Sequence, residues 1–408
     1  IMASVTTRPD RIPDRSPAAA MRLIHTSDWH LGRTLHGADL LGYQASFLDW
    51  LHGQAVSHRA DAVVVAGDIY DRAVPSLDAV RLLDTALTRF ARDGIPVVLT
   101  SGNHDSAVRL GFGSALSESA GVHLRTALAD IGRPVLLRDS GGEVAVYGIP
   151  YLLPDAVMAD LDCGRSHEAV LAAAAGRIRA DAAARGISRT VVIAHAFVTG
   201  ALPAESERDI RVGGVATVPA SVFAGFSYVA LGHLHGQQEI GAGGGGPVAR
   251  YSGSPLAFSF GEKNHVKSVT LAEIDGAGQV TVTKLATPVP RPLREVRGRL
   301  DDLLARTDGD LAGLAGAWVK AVLTDPVRPA APMERLREKW PHTLVLDFAP
   351  DGGLPGAEDD LQRLAAATDP VEICGLFVEF TGGGPPDEAT LAGIRSAVEA
   401  AASAEAAA

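Results

Sequence analysis

Cysteine is scarce in this chain of 408 residues, and its scarcity excludes two kinds of scaffold. The two cysteines, Cys163 and Cys374, are far apart, and neither belongs to a Cys-x-x-Cys pair. A disulfide framework and a zinc ribbon both need more cysteines at closer spacing. We therefore expect both cysteines to be small apolar residues in buried positions.

Long apolar runs are also missing, although hydrophobic residues make up 47% of the chain. No run reaches the roughly 18–20 residues that a membrane span needs. Residues 1–20 hold no continuous apolar segment of the kind that signal peptides contain. We expect a cytoplasmic globular protein without a membrane partner, built as two domains or as one large domain with additions.

Basic residues are too few to cover the surface with positive charge. The chain has 37 Lys and Arg against 48 Asp and Glu, a net charge of −11. Taken alone, this balance disfavours nucleic acid as a partner. It does not exclude DNA, because carboxylates around a metal count toward the total and a local basic groove can coexist with an acidic remainder.

Histidine, by contrast, is concentrated in one part of the chain. Twelve of the thirteen histidines precede residue 266, and several stand beside Asp, Asn or Gly. This clustering indicates metal or acid–base chemistry in the first two thirds of the chain.

Short runs rich in β-branched residues alternate with helical stretches from Met21 onward. The runs predicted to be buried strands are Leu23–Ser27, Ala62–Ala66, Ile95–Leu99, Val144–Ile149, Thr190–Ala194 and Tyr228–Leu231. The predicted helices are Leu41–His58, Ser76–Gly94 and His167–Gly186. Ser76 is placed to cap the start of its helix and Gly94 the end. This alternation predicts a layered α/β architecture.

The second half of the chain has a different pattern. Gly241–Gly246 predicts a surface hairpin loop, and the three predicted antiparallel strands that follow are Ala249–Ser252, Lys267–Ile274 and Val280–Leu285. Beyond a linker at Pro288–Pro292, the predicted strands are Trp318–Leu323, Thr343–Phe348 and Ile373–Phe380, and the predicted helices are Met333–Trp340, Glu358–Ala367 and Asp387–Ala402. We expect four segments: a disordered extension (1–20), a first domain (21–287), a smaller α/β domain (288–382) and a helical tail (383–408).

Five predicted strands end in polar residues of the same kinds. In chain order, these residues are Asp28 and His30, Asp68 and Asp71, Asn103, His104 and Asp105, His195, and His233 and His235. Ligands of open α/β sheets bind at the carboxyl ends of strands, where such segments meet. In Asp-x-His and His-x-His, both side chains lie on one face of an extended segment and reach the same cluster.

The donor set at these ends consists of two carboxylates, one amide oxygen and four imidazoles. Such a mixture suits Mn²⁺, Fe²⁺ or Zn²⁺ better than Ca²⁺, and two metals better than one. Two metals about 3.5–4 Å apart form a clamp for in-line attack at phosphorus. Any single histidine has a core or surface role as its alternative, and we assign that role to His25, His36, His52, His58, His123, His167, His265 and His342.

The motif order DxH, GDxxD, GNHD, H and GHxH resembles the calcineurin-like metallophosphoesterase superfamily. Within it, TSDWHLG (Thr26–Gly32), AGDIYDRAVPS (Ala66–Ser76) and SGNHDS (Ser101–Ser106) are most similar to the nucleases of DNA double-strand-break repair. The motifs cover residues 22–255, and Leu323–Phe348 and Val371–Phe380 resemble that family's capping domain. The resemblance implies an α/β fold, a two-sheet metallophosphoesterase sandwich flanked by helices, with a smaller α/β capping domain.

The resemblance also implies roles for individual residues. Asp28, His30, Asp68 and His235 would hold a first metal, and Asp68, Asn103, His195 and His233 a second, with Asp68 bridging. The family's acid or transition-state stabiliser matches His104, and we expect Asp105 to orient His104 through a hydrogen bond. We expect Asp71 to support the ligands rather than to be one. The implied cofactors are two divalent ions, Mn²⁺ first, with Mg²⁺, Fe²⁺ and Zn²⁺ as alternatives.

By the same resemblance, the substrate is DNA, cut from duplex ends by exonuclease activity and within single strands or hairpins by endonuclease activity. The implied partners are a coiled-coil ATPase of the SbcC type and a second copy of this chain within a heterotetramer, associated with the nucleoid. The dimer would use Ser106–Leu116, with apolar contacts from Leu110, Phe112 and Leu116, unless that segment packs within the monomer. The tail helix Asp387–Ala402 would dock on the ATPase.

Arginines near the motifs and the linker are candidate contacts to DNA phosphates. They are Arg33, Arg72, Arg109, Arg291 and Arg294, and the alternative for the linker arginines is an ordinary solvated face. Two other functions remain open: a small-molecule or cyclic-nucleotide phosphoesterase of the same superfamily, and a non-catalytic scaffold that binds DNA ends.

Overall fold

The computed structural model describes residues 20–203, 206–207, 217–241, 247–306, 309–311, 313–350, 363–364, 366–382 and 384–406. The chain forms two compact units, Ile1–Pro290 and Arg291–Ala408. The expected N-terminal extension and the glycine-rich loop at Gly241–Gly246 lie, except for their edge residues, outside the described residues. In the part of the chain that the structure describes, no helix has the length and apolar character to cross a membrane.

The first unit contains two six-stranded sheets. The first sheet consists, in spatial order, of β14 (Val280–Ala286), β13 (Ser268–Asp275), β1 (Ala20–Thr26), β4 (Ala62–Ala66), β5 (Val97–Thr100) and β6 (Val122–Arg125). Strands β1, β4, β5 and β6 are parallel, and β13 and β14 run antiparallel at one side. The carboxyl ends of β1, β4 and β5 therefore lie at one edge of the sheet.

The second sheet consists, in spatial order, of β11 (Gln238–Ile240), β12 (Val248–Tyr251), β10 (Tyr228–Gly232), β9 (Thr190–His195), β8 (Gly142–Ile149) and β7 (Val135–Asp139). Its central strands β12, β10, β9 and β8 are parallel. A small separate hairpin is formed by β2 (Thr34–Leu35) and β3 (Ala38–Asp39).

The two sheets pack face to face, and helices cover their outer faces. Val64 and Val98 of the first sheet share one buried apolar cluster with Val191 and Ile193 of the second. The first sheet is covered by α1 (Leu41–Ser57) and α2 (Leu77–Arg92), and the second by α5 (Pro154–Leu161) and α6 (His167–Arg185). Two short helices, α3 (Ala107–Leu110) and α4 (Ser114–Glu118), follow β5. The predicted two-sheet α/β sandwich flanked by helices is confirmed.

The predicted caps of α2, Ser76 and Gly94, are present, and α6 has similar ones. The Ser76 side chain accepts a hydrogen bond from the Ala79 amide at the start of α2, and the Ser166 side chain does the same for Ala169 at the start of α6. Gly94 and Gly186 adopt left-handed backbone angles just beyond these two helices, where a residue without Cβ is favoured.

The second unit contains a parallel three-stranded sheet of β15 (Leu293–Gly298), β16 (Trp318–Leu323) and β17 (Thr343–Phe348). Its helices are α7 (Leu300–Ala305), α8 (Pro332–Lys339), α9 (Pro370–Gly382) and α10 (Glu388–Ala406). A buried cluster that includes Leu300, Val319, Leu336 and Trp340 forms its core. The expected helix Glu358–Ala367 falls mostly outside the described residues.

Two predictions about the chain are wrong. The run Ile373–Phe380 is helical, within α9, because a short apolar run with β-branched residues suits a packed helix as well as a strand. The expectation of two buried cysteines also fails: Cys374 lies on the same helix and is exposed, and Cys163 is only half-buried.

Candidate metal centre

The polar strand ends of both sheets meet at one edge of the first unit. The amides of Asp28 and His30, after β1, donate to the carbonyls of Gly67 and Asp68, after β4, at 3.0 and 2.9 Å. Across the sheets, the His233 amide donates to Asp28 Oδ1 at 3.0 Å. The loops from the two sheets are thus joined by hydrogen bonds to one another.

Two glycines permit this close approach of strands. A Cβ at Gly232, the last residue of β10, would lie 1.8 Å from the carbonyl oxygen of Ala66 in β4. A Cβ at Gly102 would lie 2.1 Å from Asp68 Oδ1. Side chains at either position would push the strand ends apart, so the glycines are required by the geometry of the site.

Four non-glycine residues of the cluster have left-handed backbone angles. The φ angles are 53° at Asp28, 44° at His30, 51° at Asp68 and 107° at His233. Such angles cost on the order of 1–3 kcal/mol each and persist where the surrounding structure imposes them. Their concentration here marks the strand ends as a functional site.

Asp68 stands at the middle of the cluster. Its Oδ2 lies 3.6 Å from His30 Nε2, 3.5 Å from His195 Nε2 and 3.9 Å from His104 Nε2. His30 Nε2 lies 3.1 Å from His235 Nε2. Three groups have ligand atoms within 4.8 Å of one another: Asp28, His30 and His235; His30, Asp68 and His104; and Asp28, Asp68 and His195.

The contact between His195 and Asn103 shows that the residues fit a metal. His195 Nδ1 lies 2.9 Å from the carbonyl oxygen of Ala66, which only accepts hydrogen bonds, so Nδ1 carries the proton. His195 Nε2 then presents a lone pair to Asn103 Oδ1, another acceptor, at 2.9 Å. A bound cation satisfies both acceptors at once.

The electrostatics of the cluster agree with this fit. Burial lowers the pKa of the four buried ligand imidazoles, which keeps them in the neutral form that binds metals; they are His30, His195, His233 and His235. Burial, and then the charge of Asp68, raises the pKa of Asp28 well above its usual range. A divalent cation supplies the positive charge that these two carboxylates lack.

The structure brings all seven predicted ligands to this cluster. Five of them form the groups given above, Asn103 contacts His195, and the His233 ring lies 5.4 Å from the His195 ring, centroid to centroid. The histidine predicted to be an acid, His104, also lies here, 4.7 Å from the His30 ring by the same measure. The division of the ligands between two ions stays a prediction.

The predicted hydrogen bond from Asp105 to His104 is wrong. The Asp105 carboxylate accepts hydrogen bonds from the amides of Ile69, Tyr70 and Gly102 at 2.9–3.0 Å. His104 Nδ1 instead donates to the carbonyl oxygen of Asp71 at 2.8 Å. Asp105 therefore ties the loops after β4 and β5 together, and the backbone of Asp71 orients His104.

Further residues support the ligands, and of these the sequence predicts only Asp71. The His235 amide donates to Glu207 Oε1 at 2.6 Å, and the Phe258 ring packs edge-on against the rings of His30 and His235. The Asp71 carboxylate lies 3.6 Å from His30 Nδ1. The Asp71 carbonyl that holds His104 and the distant Phe258 form no sequence motif. The GDxxD spacing indicates only that the Asp71 side chain lies near the ligands.

The candidate DNA-binding arginines have different surroundings. Arg33 is held near the cluster: it donates to the Ser206 carbonyl at 2.8 Å and lies 4.8 Å from the centre of the Phe258 ring. Arg72 is 79% exposed, and the exposed Arg109 donates to the Ala73 carbonyl. In the second unit, Arg291 stacks on Trp318 at 5.0 Å, and Arg294 is exposed on β15.

Comparison with known families agrees with this geometry. A family model described as calcineurin-like phosphoesterase matches residues 21–237, over half of the chain. A second model, described as the type 5 capsule protein repressor C-terminal domain, matches residues 289–378. The chain therefore belongs to the calcineurin-like phosphoesterases.

Three curated bacterial relatives, each named as the SbcD component of the SbcCD nuclease, narrow this class. The protein of Staphylococcus saprophyticus is 31% identical over 80% of this chain and 84% of its own length. The Bacillus subtilis protein is 36% identical over 67% of this chain and 71% of its own length. The Rhodobacter capsulatus protein is 35% identical over 69% of this chain and 76% of its own length. Within the calcineurin-like phosphoesterases, the chain is a member of this SbcD group.

Proposed function

We propose that this chain is a metal-dependent nuclease that hydrolyses DNA phosphodiester bonds and works with an SbcC-type ATPase. The observation that carries the proposal is the convergence of seven ligand side chains, Asp68 and six others, from five strand ends of two sheets. The relatives named as SbcD components of the SbcCD nuclease supply the substrate class and the partner.

The residues present fit two divalent ions. Asp28, His30 and His235 would hold one ion, Asn103, His195 and His233 the other, and Asp68 would bridge them. When bound, such a pair of ions supplies Lewis acidity and neutralises charge on a phosphate. The mixed nitrogen and oxygen donors favour Mn²⁺, with Mg²⁺, Fe²⁺ and Zn²⁺ as alternatives.

His104 is placed to act as the general acid that protonates the leaving oxygen. Its Nδ1 is held by the Asp71 carbonyl, so its Nε2 faces the cluster, 3.9 Å from Asp68 Oδ2. In its doubly protonated form the ring also carries a proton on Nε2, which it would donate to the oxygen that leaves phosphorus, a contribution typically worth about 10²–10⁴-fold in rate. Asp71, rather than Asp105, keeps the ring in that orientation.

A paired substitution tests this function. With Mn²⁺ and labelled hairpin and linear duplex DNA, His104→Ala should lose cleavage by about 10²-fold or more while Mn²⁺ binding persists. Asp68→Ala should lose both, because the bridging ligand is gone. Normal cleavage by His104→Ala would contradict its role.

The same assay separates the other two functions. Turnover of a nucleotide monophosphate ester without any DNA cleavage would indicate a small-molecule phosphoesterase. DNA-end binding with no turnover of either substrate by the wild-type chain would indicate a scaffold. Both duplex-end and hairpin cleavage are expected of the nuclease.

The DNA contacts belong to the proposal as well. Arg72 and Arg109 are exposed beside the metal motifs, and Arg291 and Arg294 lie at the start of the second unit. Exposed guanidinium groups bind backbone phosphates without reading sequence. Arg33 is held by Ser206 and Phe258, with its Nη1 3.8 Å from Asp71 Oδ1, and it is the arginine we propose to contact a phosphate at the cluster.

The proposed assembly is a dimer of this chain bound to the ATPase, in the cytoplasm and on the nucleoid. Val108, Phe112 and Leu116 are 86%, 89% and 81% exposed, so the segment after β5 presents apolar side chains to solvent. Leu110, which we expected to join them, is 6% exposed and packs in the core beneath. Exposed apolar residues so close together favour a protein contact, and the helices α9 and α10 are the proposed docking segment for the ATPase.

A further inference from the structure

A buried ion pair lies directly behind His235. Glu262 follows β12 in a short turn, Lys267 immediately precedes β13, and the two residues are 1% and 5% exposed. The Lys267 ammonium donates to the Glu262 carboxylate. A buried ion pair is weak as a stabilising device, because desolvation of the charges offsets their attraction. Its position beside a metal ligand indicates another role.

Lys267 holds the backbone of His235. Its ammonium donates to the His235 carbonyl oxygen at 2.9 Å and to Ser254 Oγ at 2.8 Å. The three donors of the ammonium are thus directed at Glu262, Ser254 and His235. This arrangement fixes the chain at the point where His235 leaves the strand end.

Glu262 holds the imidazole of His235 through the hydroxyl of Ser206. Ser206 Oγ lies within hydrogen-bond distance of both Glu262 Oε1 and His235 Nδ1. A carboxylate only accepts, so the hydroxyl donates to Glu262 and accepts from Nδ1–H of His235. The lone pair of His235 is therefore on Nε2, the atom that lies 3.1 Å from His30 Nε2 in the cluster.

We propose that Glu262 and Lys267 are positioning residues that fix the tautomer and orientation of His235 and thereby set the affinity of the centre for a divalent metal. The inference rests on the proposed function only in taking His235 as a metal ligand. Carboxylates behind a ligating histidine raise its basicity, and their loss typically weakens metal binding by about 10–100-fold.

The test is Mn²⁺ binding by the full chain, measured by calorimetry after treatment with a chelator. Glu262→Gln keeps the shape of the side chain but removes its charge, and we expect one of two Mn²⁺ ions to bind about 10–100-fold more weakly. Wild-type affinity in this variant would overturn the proposal. If the wild-type chain itself bound no Mn²⁺, the proposed function would fail instead, so the two failures are distinguishable.

The ion pair of Asp139 and Arg189 offers a matched control. Their side chains are each 4% exposed, and Arg189 Nη2 lies 2.6 Å from Asp139 Oδ2. Arg189 precedes β9, at the opposite end of that strand from His195. Asp139→Asn makes the same change of charge in a buried pair away from the centre. Asp139→Asn should lower the melting temperature and leave Mn²⁺ affinity unchanged. If it weakened Mn²⁺ binding as much as Glu262→Gln does, Glu262 would act only through the general stability of the fold.

Two further variants separate positioning from charge balance and from misfolding. Glu262→Gln combined with Lys267→Met removes both charges; it should recover melting temperature relative to Glu262→Gln but not Mn²⁺ affinity. Ser206→Ala removes only the hydroxyl and gives an answer even if Glu262→Gln does not fold. We expect several-fold weaker Mn²⁺ binding at an unchanged melting temperature, and wild-type affinity in Ser206→Ala would overturn the contact through Ser206.

Discussion

Asp105 binds three backbone amides rather than the histidine that precedes it in the chain. The amides belong to Ile69, Tyr70 and Gly102, so one carboxylate holds the loops after β4 and β5 together. Burial raises the pKa of Asp105 to about 7, and these amide bonds oppose that rise. At the residue scale, the order of the centre thus depends on side chains that are not themselves metal ligands.

Asp105→Ala tests this role. It leaves three amides without an acceptor, and each unpaired buried donor costs about 1–3 kcal/mol. The melting temperature of the metal-free chain, followed by circular dichroism, should fall by many degrees. His104→Ala, which removes a single bond to a carbonyl, should lower it far less. Equal melting temperatures for the two variants would contradict the role of Asp105 in holding the loops.

His25 gives a pH dependence that is separate from the metal centre. It is fully buried between the sheets, with Nε2 donating to the Leu231 carbonyl and Nδ1 accepting from the Tyr228 hydroxyl. Burial lowers its pKa to about 3, below the usual 6.5. The unfolded chain therefore binds more protons than the folded chain between these pH values, and His25 lowers stability as the pH falls from about 6.5 toward 3.

His25→Gln should make acid unfolding less steep. Glutamine can donate to the Leu231 carbonyl and accept from Tyr228 but takes up no proton in this range. Urea unfolding midpoints measured with chelator at pH 7 and pH 5 should differ less in the variant than in the wild-type chain. The same loss of stability in both would show that His25 does not contribute to the pH dependence.

At the scale of elements, the sequence predicts a strand best where both of its faces are buried. The strand β4 reads AVVVA, and its predicted bounds match the structure because each side chain packs in one of the two cores. The run Ile373–Phe380 has a similar composition but is helical, since composition alone does not decide which neighbours an apolar run will have. The type of an element here is determined by its packing.

The metal centre, likewise, is predicted only in part: the sequence indicates its ligands but not the residues that hold them. Gly-Asp, Gly-Asn-His-Asp and Gly-His-x-His at strand ends indicated the ligands, because parallel strands bring such ends together. The partners of those ligands were not predictable. The Asp71 carbonyl belongs to the backbone, which every residue shares. Glu262 and Lys267 belong to no motif in the sequence, and only folding buries them beside His235.

A pair of glycine substitutions tests how closely the two sheets must approach. In Gly232→Ala, the new Cβ would lie 1.8 Å from the Ala66 oxygen, so β10 must move away from β4 and carry His233 and His235 with it. We expect loss of Mn²⁺ binding and a lower melting temperature. Gly176→Ala, in the exposed middle of α6 with nothing within 4 Å, should keep Mn²⁺ binding and gain about 0.5–1 kcal/mol of stability. Normal Mn²⁺ binding by Gly232→Ala would contradict the required contact.

At the scale of the whole molecule, the net charge of −11 bears on how DNA is held. An acidic chain attracts DNA only through local groups, and the exposed arginines next to the centre, Arg72 and Arg109, lie on the same stretch of surface as the apolar segment after β5. A second copy bound through that segment would bring two centres and two sets of arginines to one DNA molecule. Two weak sites joined in this way bind more tightly than either does alone.

Phe112→Asp tests whether this apolar segment joins two copies of the chain. Phe112 is 89% exposed, so the substitution removes no contact within the monomer and should leave the melting temperature of a dilute sample unchanged. A charge in a packed apolar interface is costly, so we expect the wild-type chain to sediment as a dimer in analytical ultracentrifugation and the variant as a monomer. Mn²⁺ binding per chain should stay the same, while DNA affinity falls because each particle then has one centre. Val266→Asp, at another exposed apolar residue outside this segment, is the control and should remain dimeric. A Phe112→Asp chain that sediments as a dimer would assign the contact to a different surface.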